Sequence, residues 1–343
     1  IAGFRLRVND PYADLGDNGL RGFKPFVTDF DSDAKPVVDL YMDIPLDIED
    51  YQLSVLHEFD FEDAGQLCFF CRYDHGYLFY MRPKCDEGGR KTIFVCEFGS
   101  SKVASNIAEH GAPDSSLLRF GLWIMFGLAI NPLHAIAIHS SVIVKDGGAV
   151  MFLGESGTGK STHTRLWREN IKDAKLLNDD SPIIRCIDGI PTVFGSAWSG
   201  KTPCYINKNF PIRGIVRLSQ APHNAMRRQG TIAALGALLP SCPPSFAYDN
   251  ELQDNICDTL SEILAKVPVY HLECLPDAAA APVPCAVIYG KSWLYQVANV
   301  LGTTAEENLA MIADTIHYLR AAGKEVIFDA EHFFDGYADH ADY

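Results

Sequence analysis

The sequence predicts an α/β protein with α+β character, and three observations predict it. The run Gly154-Glu155-Ser156-Gly157-Thr158-Gly159-Lys160-Ser161-Thr162 fits G-x-x-x-x-G-K-[ST] and follows the apolar run Ala149–Leu153. A strand, a glycine loop and a helix start therefore stand in series. The apolar runs beside it are separated by Asp-Gly turns rather than by helices, which sets the loop on β-hairpins. Near the end of the chain, a strand–helix–strand pattern of the parallel-sheet type follows a small, Pro-broken stretch. Three regions are expected: a β-rich lobe over 1–113, a phosphate-loop domain over 114–281, and a linker with a strand–helix–strand fragment over 282–343.

The chain has 343 residues, enough for about two or three domains. Its formal net charge of -15 argues against non-specific binding to nucleic acid or an anionic membrane. No secretory signal is visible, although the chain starts at Ile1 rather than Met and a lost leader stays open. The apolar run Leu117–Ile130 is too short to span a bilayer, carries Arg119 and ends at Asn131-Pro132. It predicts a buried helix capped by Asp114 or Ser115. Ten cysteines are scattered along the chain. The lone C-x-x-C, Cys68 to Cys71, lies among aromatic, strand-like neighbours and reads as buried thiols, with a zinc site as the alternative. Scattered thiols predict a reducing cytoplasm.

In the first region, strands are expected at Leu67–Tyr73, Tyr77–Met81 and Thr92–Phe98. Turns are expected at His75-Gly76 and Glu87-Gly88-Gly89. The acids of Asp29–Asp33 read as a solvated loop. In the second region, Ile136–Val144 reads as one strand, Asp146-Gly147-Gly148 as a tight turn and Ala149–Leu153 as the returning strand. Ile183–Ile187, Asp188-Gly189 and Thr192–Phe194 suggest a second hairpin.

The loop carries the chemistry. Its glycines let backbone N–H groups converge on phosphate oxygens, Lys160 supplies a point charge, and the Ser161 hydroxyl can ligate Mg²⁺. The helix opening there adds its positive end. Gly154, Ser156, Gly157, Thr158, Gly159, Lys160, Ser161 and Thr162 are thus the expected residues for ATP and Mg²⁺. Asp179-Asp180 follows Leu176-Leu177-Asn178 at a strand end. Two adjacent carboxylates there are costly to bury without a cation, and one can hold metal while the other accepts a proton. By geometry, His139 can face the phosphates or the core. Lys201 and Arg213 can each serve phosphate or be surface cations.

Four segments resemble the HPr kinase/phosphorylase family, which is related in fold to phosphoenolpyruvate carboxykinase. They are Ala137-Ile138-His139-Ser140-Ser141, Gly154–Thr162, Leu176-Leu177-Asn178-Asp179-Asp180 and Ile212-Arg213-Gly214-Ile215-Val216. Ala197–Cys204 and Val267–Leu272 look like segments of a bacterial subgroup of HPr-kinase-like serine kinases. The resemblance covers about Leu117 to Pro276. It implies phosphate transfer from ATP to a serine hydroxyl or other hydroxyl acceptor, with Mg²⁺ at the loop. It also implies an acidic base, taken as Asp179, with His139 and Lys160 as the other catalytic residues, Asp180 with Ser161 on the metal, and a homo-oligomer. The two Asp roles can be exchanged. His139 is followed by Ser140 where HPr kinases have Gly, and the first region is unlike theirs, so HPr is not the expected acceptor.

The last region differs. Asp277–Pro284 reads as a linker. Cys285–Tyr289 and Glu325–Phe328 read as strands, and Thr304–Ala322 as a helix with Leu309, Ile312, Ile316 and Leu319 on one face. Thr303 or Thr304 can cap that helix and Gly323 can stop it. Tyr289-Gly290-Lys291-Ser292-Trp293, Thr303–Leu309 and Phe328–Tyr337 resemble an internal piece of the citramalate and 2-isopropylmalate synthase barrel. That family condenses acetyl-CoA with a 2-oxo acid on a divalent metal, and the resemblance places Glu331 at a strand end facing the active site. The family's early metal Asp and later H-x-H have no match here, and two strands cannot close a barrel of eight. A misassembled junction near Ala280 is therefore expected, with no synthase activity. The leading expectation is an HPr-kinase-like serine kinase. A non-catalytic ATP-binding sensor and an acyltransferase acting through the tail are the alternatives.

Overall fold

A computed structural model of the chain describes residues 1–9, 20–28, 35–155, 157–200, 202–221, 225–274, 285–321 and 325–343. Asp29–Asp33, Ser156, Lys201, Asp277–Pro284 and Gly323 lie outside the described residues. The chain divides into two units. One is Ile1–Ser219 with Met226–Leu272, and the other is Gln220–Ala225 with Glu273–Tyr343. The α/β class holds.

The first unit contains two sheets. In the first sheet, β1 (Leu6–Asn9) and β2 (Val38–Tyr41) run parallel beside an antiparallel meander. The meander comprises β3 (Ser54–Phe61), β4 (Gln66–Tyr73), β5 (Gly76–Pro83), β6 (Thr92–Glu97) and β7 (Lys102–Ser105), in the order β1-β2-β7-β6-β5-β4-β3. Side chains alternate between the faces of a strand. Cys68 and Cys71 are an odd number of residues apart on β4. They therefore enter two different apolar clusters, one on each face. They cannot share a zinc ion, and burial pushes both thiols up to about 12.

Helix α1 (Ser115–Ile130) packs under this sheet. Asp114 caps it, its carboxylate accepting from the N–H groups of Ser116 at 2.8 Å and Leu117 at 3.0 Å. The packing is close: a Cβ on Gly121 would lie 2.3 Å from the Phe94 ring. Ser115–Leu133 has the length and apolar composition to cross a membrane. Here its Leu118, Leu122, Met125 and Phe126 belong to the core, with Phe79, Met151 and Ile215.

The second sheet contains β8 (Ala135–Ala137), β9 (Ser140–Lys145), β10 (Gly148–Leu153), β11 (Lys175–Asp180), β12 (Ile183–Ile187), β13 (Ile190–Phe194) and β14 (Asn209–Gln220). Their order is β11-β9-β10-β14-β13-β12-β8, extended by β15 (Ala225–Arg228) and β16 (Val269–Cys274). Both expected hairpins are present. Asp146 and Gly147 turn β9 into β10, and Asp188 and Gly189 turn β12 into β13. Each turn has two residues of positive φ, the mirror-image geometry that matches strand twist. The strand expected over Ile136–Val144 is two strands. β8 pairs with β12, β9 pairs with β10 and β11, and the chain changes partner at Ile138-His139. Helices α2 (Lys160–Asn170), α3 (Thr231–Leu238) and α4 (Asn250–Leu264) complete the unit.

In the second unit, β17 (Cys285–Lys291) pairs in parallel with β18 (Glu325–Glu331) across helix α5 (Ala305–Ala321), and α6 (Phe333–Asp339) follows. Thr304 is the cap of α5: its hydroxyl accepts from Glu307 N–H at 3.2 Å. The expected face of α5 is the buried one at Ile312, Ile316 and Leu319, which are half-buried or buried, and departs from expectation at its first residue. Asn308 and Leu319 are buried, whereas Leu309 is 49% exposed.

Candidate functional site

Strand β10 delivers the chain into the glycine loop, and α2 begins at Lys160. Gly154, Gly157 and Gly159 all have positive φ, of 152°, 83° and 101°. A side chain would strain the backbone at each position. Among the described residues nothing lies within 4 Å of where a Cβ would stand on Gly157 or Gly159. The Thr158 hydroxyl instead turns inward and donates to Glu155 O at 2.8 Å. No side chain caps the start of α2, which leaves the helix's positive end to the loop.

The Lys160 ammonium folds back and donates to Gly154 O at 2.7 Å and Glu155 O at 3.1 Å. Burial lowers its pKa, with Asp180 and Asp179 pulling the other way. Such a desolvated cation, held by two backbone carbonyls, is a fitting partner for an anion.

Asp179 and Asp180 are neighbours on β11, so they point to opposite sides of the sheet. This decides what each one meets. Asp179 is buried, and its carboxylate accepts from the Ser161 hydroxyl at 3.1 Å. Asp180 lies 3.3 Å from His139 Nδ1 and accepts from the Ser181 hydroxyl at 3.1 Å. The loop serine thus stands beside Asp179, and His139 beside Asp180. His139 reaches Asp180 because it occupies the break between β8 and β9, where its backbone N–H donates to Ser241 O at 2.7 Å.

Asn178, a motif residue whose type and position alone assign it no role, holds the pair in place. Its side-chain oxygen accepts from the N–H groups of Asp180 and Ser181, both at 3.0 Å. Its amide donates to Trp198 O at 3.0 Å and the Ser196 hydroxyl at 3.3 Å. Thr162 lies in the first turn of α2, half-buried. Arg213 is not brought to the loop. The parallel register sets Ala149 beside Ile212 and Leu153 beside Arg217. Arg213 therefore flanks the β9–β10 turn, where a Cβ on Gly148 would meet its side chain at 2.5 Å. The arginine at the loop end of β14 is Arg217, which lies 3.9 Å from Glu155 and donates to Ala237 O. A register count from the loop would have found it.

Gly154, Glu155, His139, Asp180, Arg119 and Arg217 line part of one cavity of about 870 Å³, a size suited to a small ligand. Among the described residues no group of three or more His, Cys, Asp or Glu side chains is placed to hold a metal. The hard oxygens of Asp179 and Ser161 fit one Mg²⁺ that takes its other ligands from phosphate and water.

The second unit has a strand-end site of its own. Lys291 and Glu331 are partners in the parallel register at the last residues of β17 and β18. Lys291 Nζ donates to Glu331 Oε2 at 2.8 Å, and this bond lowers the Glu331 pKa. The Ser292 hydroxyl donates to Glu331 O at 2.8 Å, and Asn308 donates to Lys291 O at 2.9 Å.

Curated proteins match a short part of the chain. It is 54% identical over 63 residues to an (R)-citramalate synthase of Aquifex aeolicus, covering 18% of this chain and 12% of that protein. It is 59% identical over 56 residues to the (R)-citramalate synthase of Synechocystis sp., covering 16% and 10%. It is 48% identical over 64 residues to that of Geobacter sulfurreducens, covering 19% and 12%. The chain thus spans only about a tenth of the length of the curated relatives it matches. The matched lengths of 63, 56 and 64 residues are close to that of the region whose motifs resemble this family, about 285–343. No family model matches the chain. These findings overturn the serine-kinase expectation: the relatives found are (R)-citramalate synthases, not kinases. The likeness to HPr kinases rests on motifs alone.

Proposed function

We propose that the second unit serves acyl transfer from acetyl-CoA to a 2-oxo acid, as one strand–helix–strand segment of a citramalate-synthase-type barrel. The 54% identity over 63 residues carries this reading. The geometry agrees with it. Parallel strands with a helical crossover are the repeating piece of such barrels, whose chemistry sits at the carboxyl ends of the strands. Glu331 lies at such an end, and Lys291 keeps it ionised for binding cationic or hydrogen-donating groups. Two strands do not close a ring of eight, so the described residues need further strands to turn over substrate. The test is a graft. Residues 285–343 replace the matching segment of the Aquifex aeolicus synthase, and CoA release is measured with acetyl-CoA and 2-oxo acids. Release within about tenfold of the parent is expected, with a loss of about a hundredfold on adding Glu331→Gln. A folded graft without CoA release would sink the proposal.

A second reading belongs to the first unit: it binds ATP with Mg²⁺ at the glycine loop. The Ser161–Asp179 contact favours it, since it pairs a loop hydroxyl with a buried carboxylate at metal-binding reach. Bound Mg²⁺ supplies charge neutralisation for the phosphates. Lys160 and the loop backbone bind phosphate oxygens, Asp179 and Ser161 hold the metal, and Asn178 orients Asp179-Asp180. This reading is of binding alone. Mg-ATP should raise the melting temperature of the first unit, and Lys160→Ala should abolish the rise. An unchanged rise would place the nucleotide elsewhere. The two readings meet at a seam near Ala280, and one contiguous read of the source DNA across residues 275–284 tests whether that seam is native.

A further inference from the structure

A second cavity, of about 710 Å³, opens on the outer face of the first sheet. It shares no lining residue with the cavity at the glycine loop. Phe69, Cys71 and Tyr73 share this face of β4, and Leu46, Ile48, Tyr51 and Leu53 pack over the apolar cluster there. Tyr51 and Tyr73 of that patch and the neighbouring His75 meet edge to face in sequence. Tyr51 and Tyr73 have centroids 5.2 Å apart and planes at 72°, and Tyr73 and His75 are 6.4 Å apart at 90°. All three line the cavity, so aromatic rings form part of its wall.

The charges around the cavity are lopsided. Among the described residues Asp50, Asp74 and Glu97 line it, against one lysine, Lys102. The carboxylates act on the rings themselves. Burial raises the Tyr51 pKa first, and Asp50 and Glu97 add to it. Tyr73 is pushed up to about 12, by burial first and by Cys96 and Glu97 after it. Ring faces carry negative quadrupole potential and attract cations with little hydration, which is how quaternary ammonium groups are recognised. Carboxylates at the rim add attraction that an apolar pocket lacks.

We propose that this cavity binds a small quaternary or alkylated ammonium ion, its head group against Tyr51, Tyr73 and His75 and its charge facing Asp50, Asp74 and Glu97. The proposal does not depend on either reading under Proposed function. Choline and its neutral isostere 3,3-dimethylbutan-1-ol are the probes, titrated into the full chain by calorimetry at pH 8. Choline should saturate, and the isostere should bind at least about tenfold more weakly. Tyr51→Leu should weaken choline binding about tenfold. Since Tyr51 also packs against the sheet, Glu97→Gln supplies a second variant on an exposed side chain, expected to weaken binding about threefold and flatten its salt dependence. Equal affinity for choline and the isostere would overturn the proposal. So would absence of saturation at tens of millimolar, or unaltered binding in both variants.

Discussion

The two units differ in how completely they bury their own apolar residues. In the first, Phe70, Phe79, Phe94, Phe126 and Phe152 are fully buried. In the second, Phe334 is 85% exposed, Val300 65%, Tyr337 63% and Ile327 51%. The completed core belongs to the unit whose motifs resemble HPr kinases, and the open one to the region whose motifs resemble citramalate synthases. Sequence identity and physical self-sufficiency are therefore separate properties. A segment can keep the residues of a barrel's strand ends while lacking the neighbours that would cover its faces. Strand-end side-chain geometry can persist in such a piece because it depends on local register. The Lys291–Glu331 bond needs only β17 and β18.

The largest expected effect tests this contrast directly. A two-stranded sheet under one helix is marginal by itself, because two strands leave most of their apolar surface wet. Amide hydrogens of β17 and β18 should exchange about a hundredfold faster than those of β4 and β5 in the same sample. Native-state hydrogen exchange read by mass spectrometry measures it. Equal protection would mean that the exposed side chains are not a sign of weak packing.

A smaller effect is expected inside the first unit. Asp249 is buried, caps α4 by accepting from the N–H groups of Glu251 at 3.1 Å and Leu252 at 3.2 Å, and forms an ion pair with Arg72 of β4. Asp249→Ala removes a cap and a charge partner together. Arg72 is 40% exposed and can be rehydrated, so the loss should be about 2–3 kcal/mol rather than more. Urea unfolding followed by tryptophan fluorescence measures it. The exchange rates of β17 and β18 should stay unchanged. A shift in both units would mean that they unfold together.

Local signals in the sequence were the legible ones. Both Asp-Gly hairpins, the Asp114 cap, the start of α2 and the β17–α5–β18 pattern follow from turn chemistry and periodicity. What escaped were pairings that need a distant partner. Strands β1, β2 and β7 are four residues long, and their place comes from the neighbours they join. The break at Ile138-His139 arises because β8 and β9 pair with different strands, and no local feature marks it. At the site, the residue types were readable but their assignment was not. Adjacent carboxylates on a strand diverge, which gives Asp179 to Ser161 and Asp180 to His139. Parallel register moves the loop-end cation from Arg213 to Arg217. Ser156 and Lys201 stand outside the described residues.

The smallest effect concerns pH and separates the units once more. His163 on α2 lies edge-on to Phe152, with ring centroids 5.5 Å apart, and burial lowers its pKa. The unfolded chain takes up this proton near pH 6.5, and the folded chain only below that. Between the two values the unfolded state binds more protons, so stability rises with pH there. The contribution is fully present above about pH 6.5 and is lost as pH falls through the folded value. His163→Gln should flatten this part of the stability–pH curve of the first unit and leave exchange in the second untouched. Urea midpoints between pH 5 and pH 8 give the slope. An unaltered slope in the variant would show that another group governs the acid limb, with His57, also lowered by burial, the next to replace.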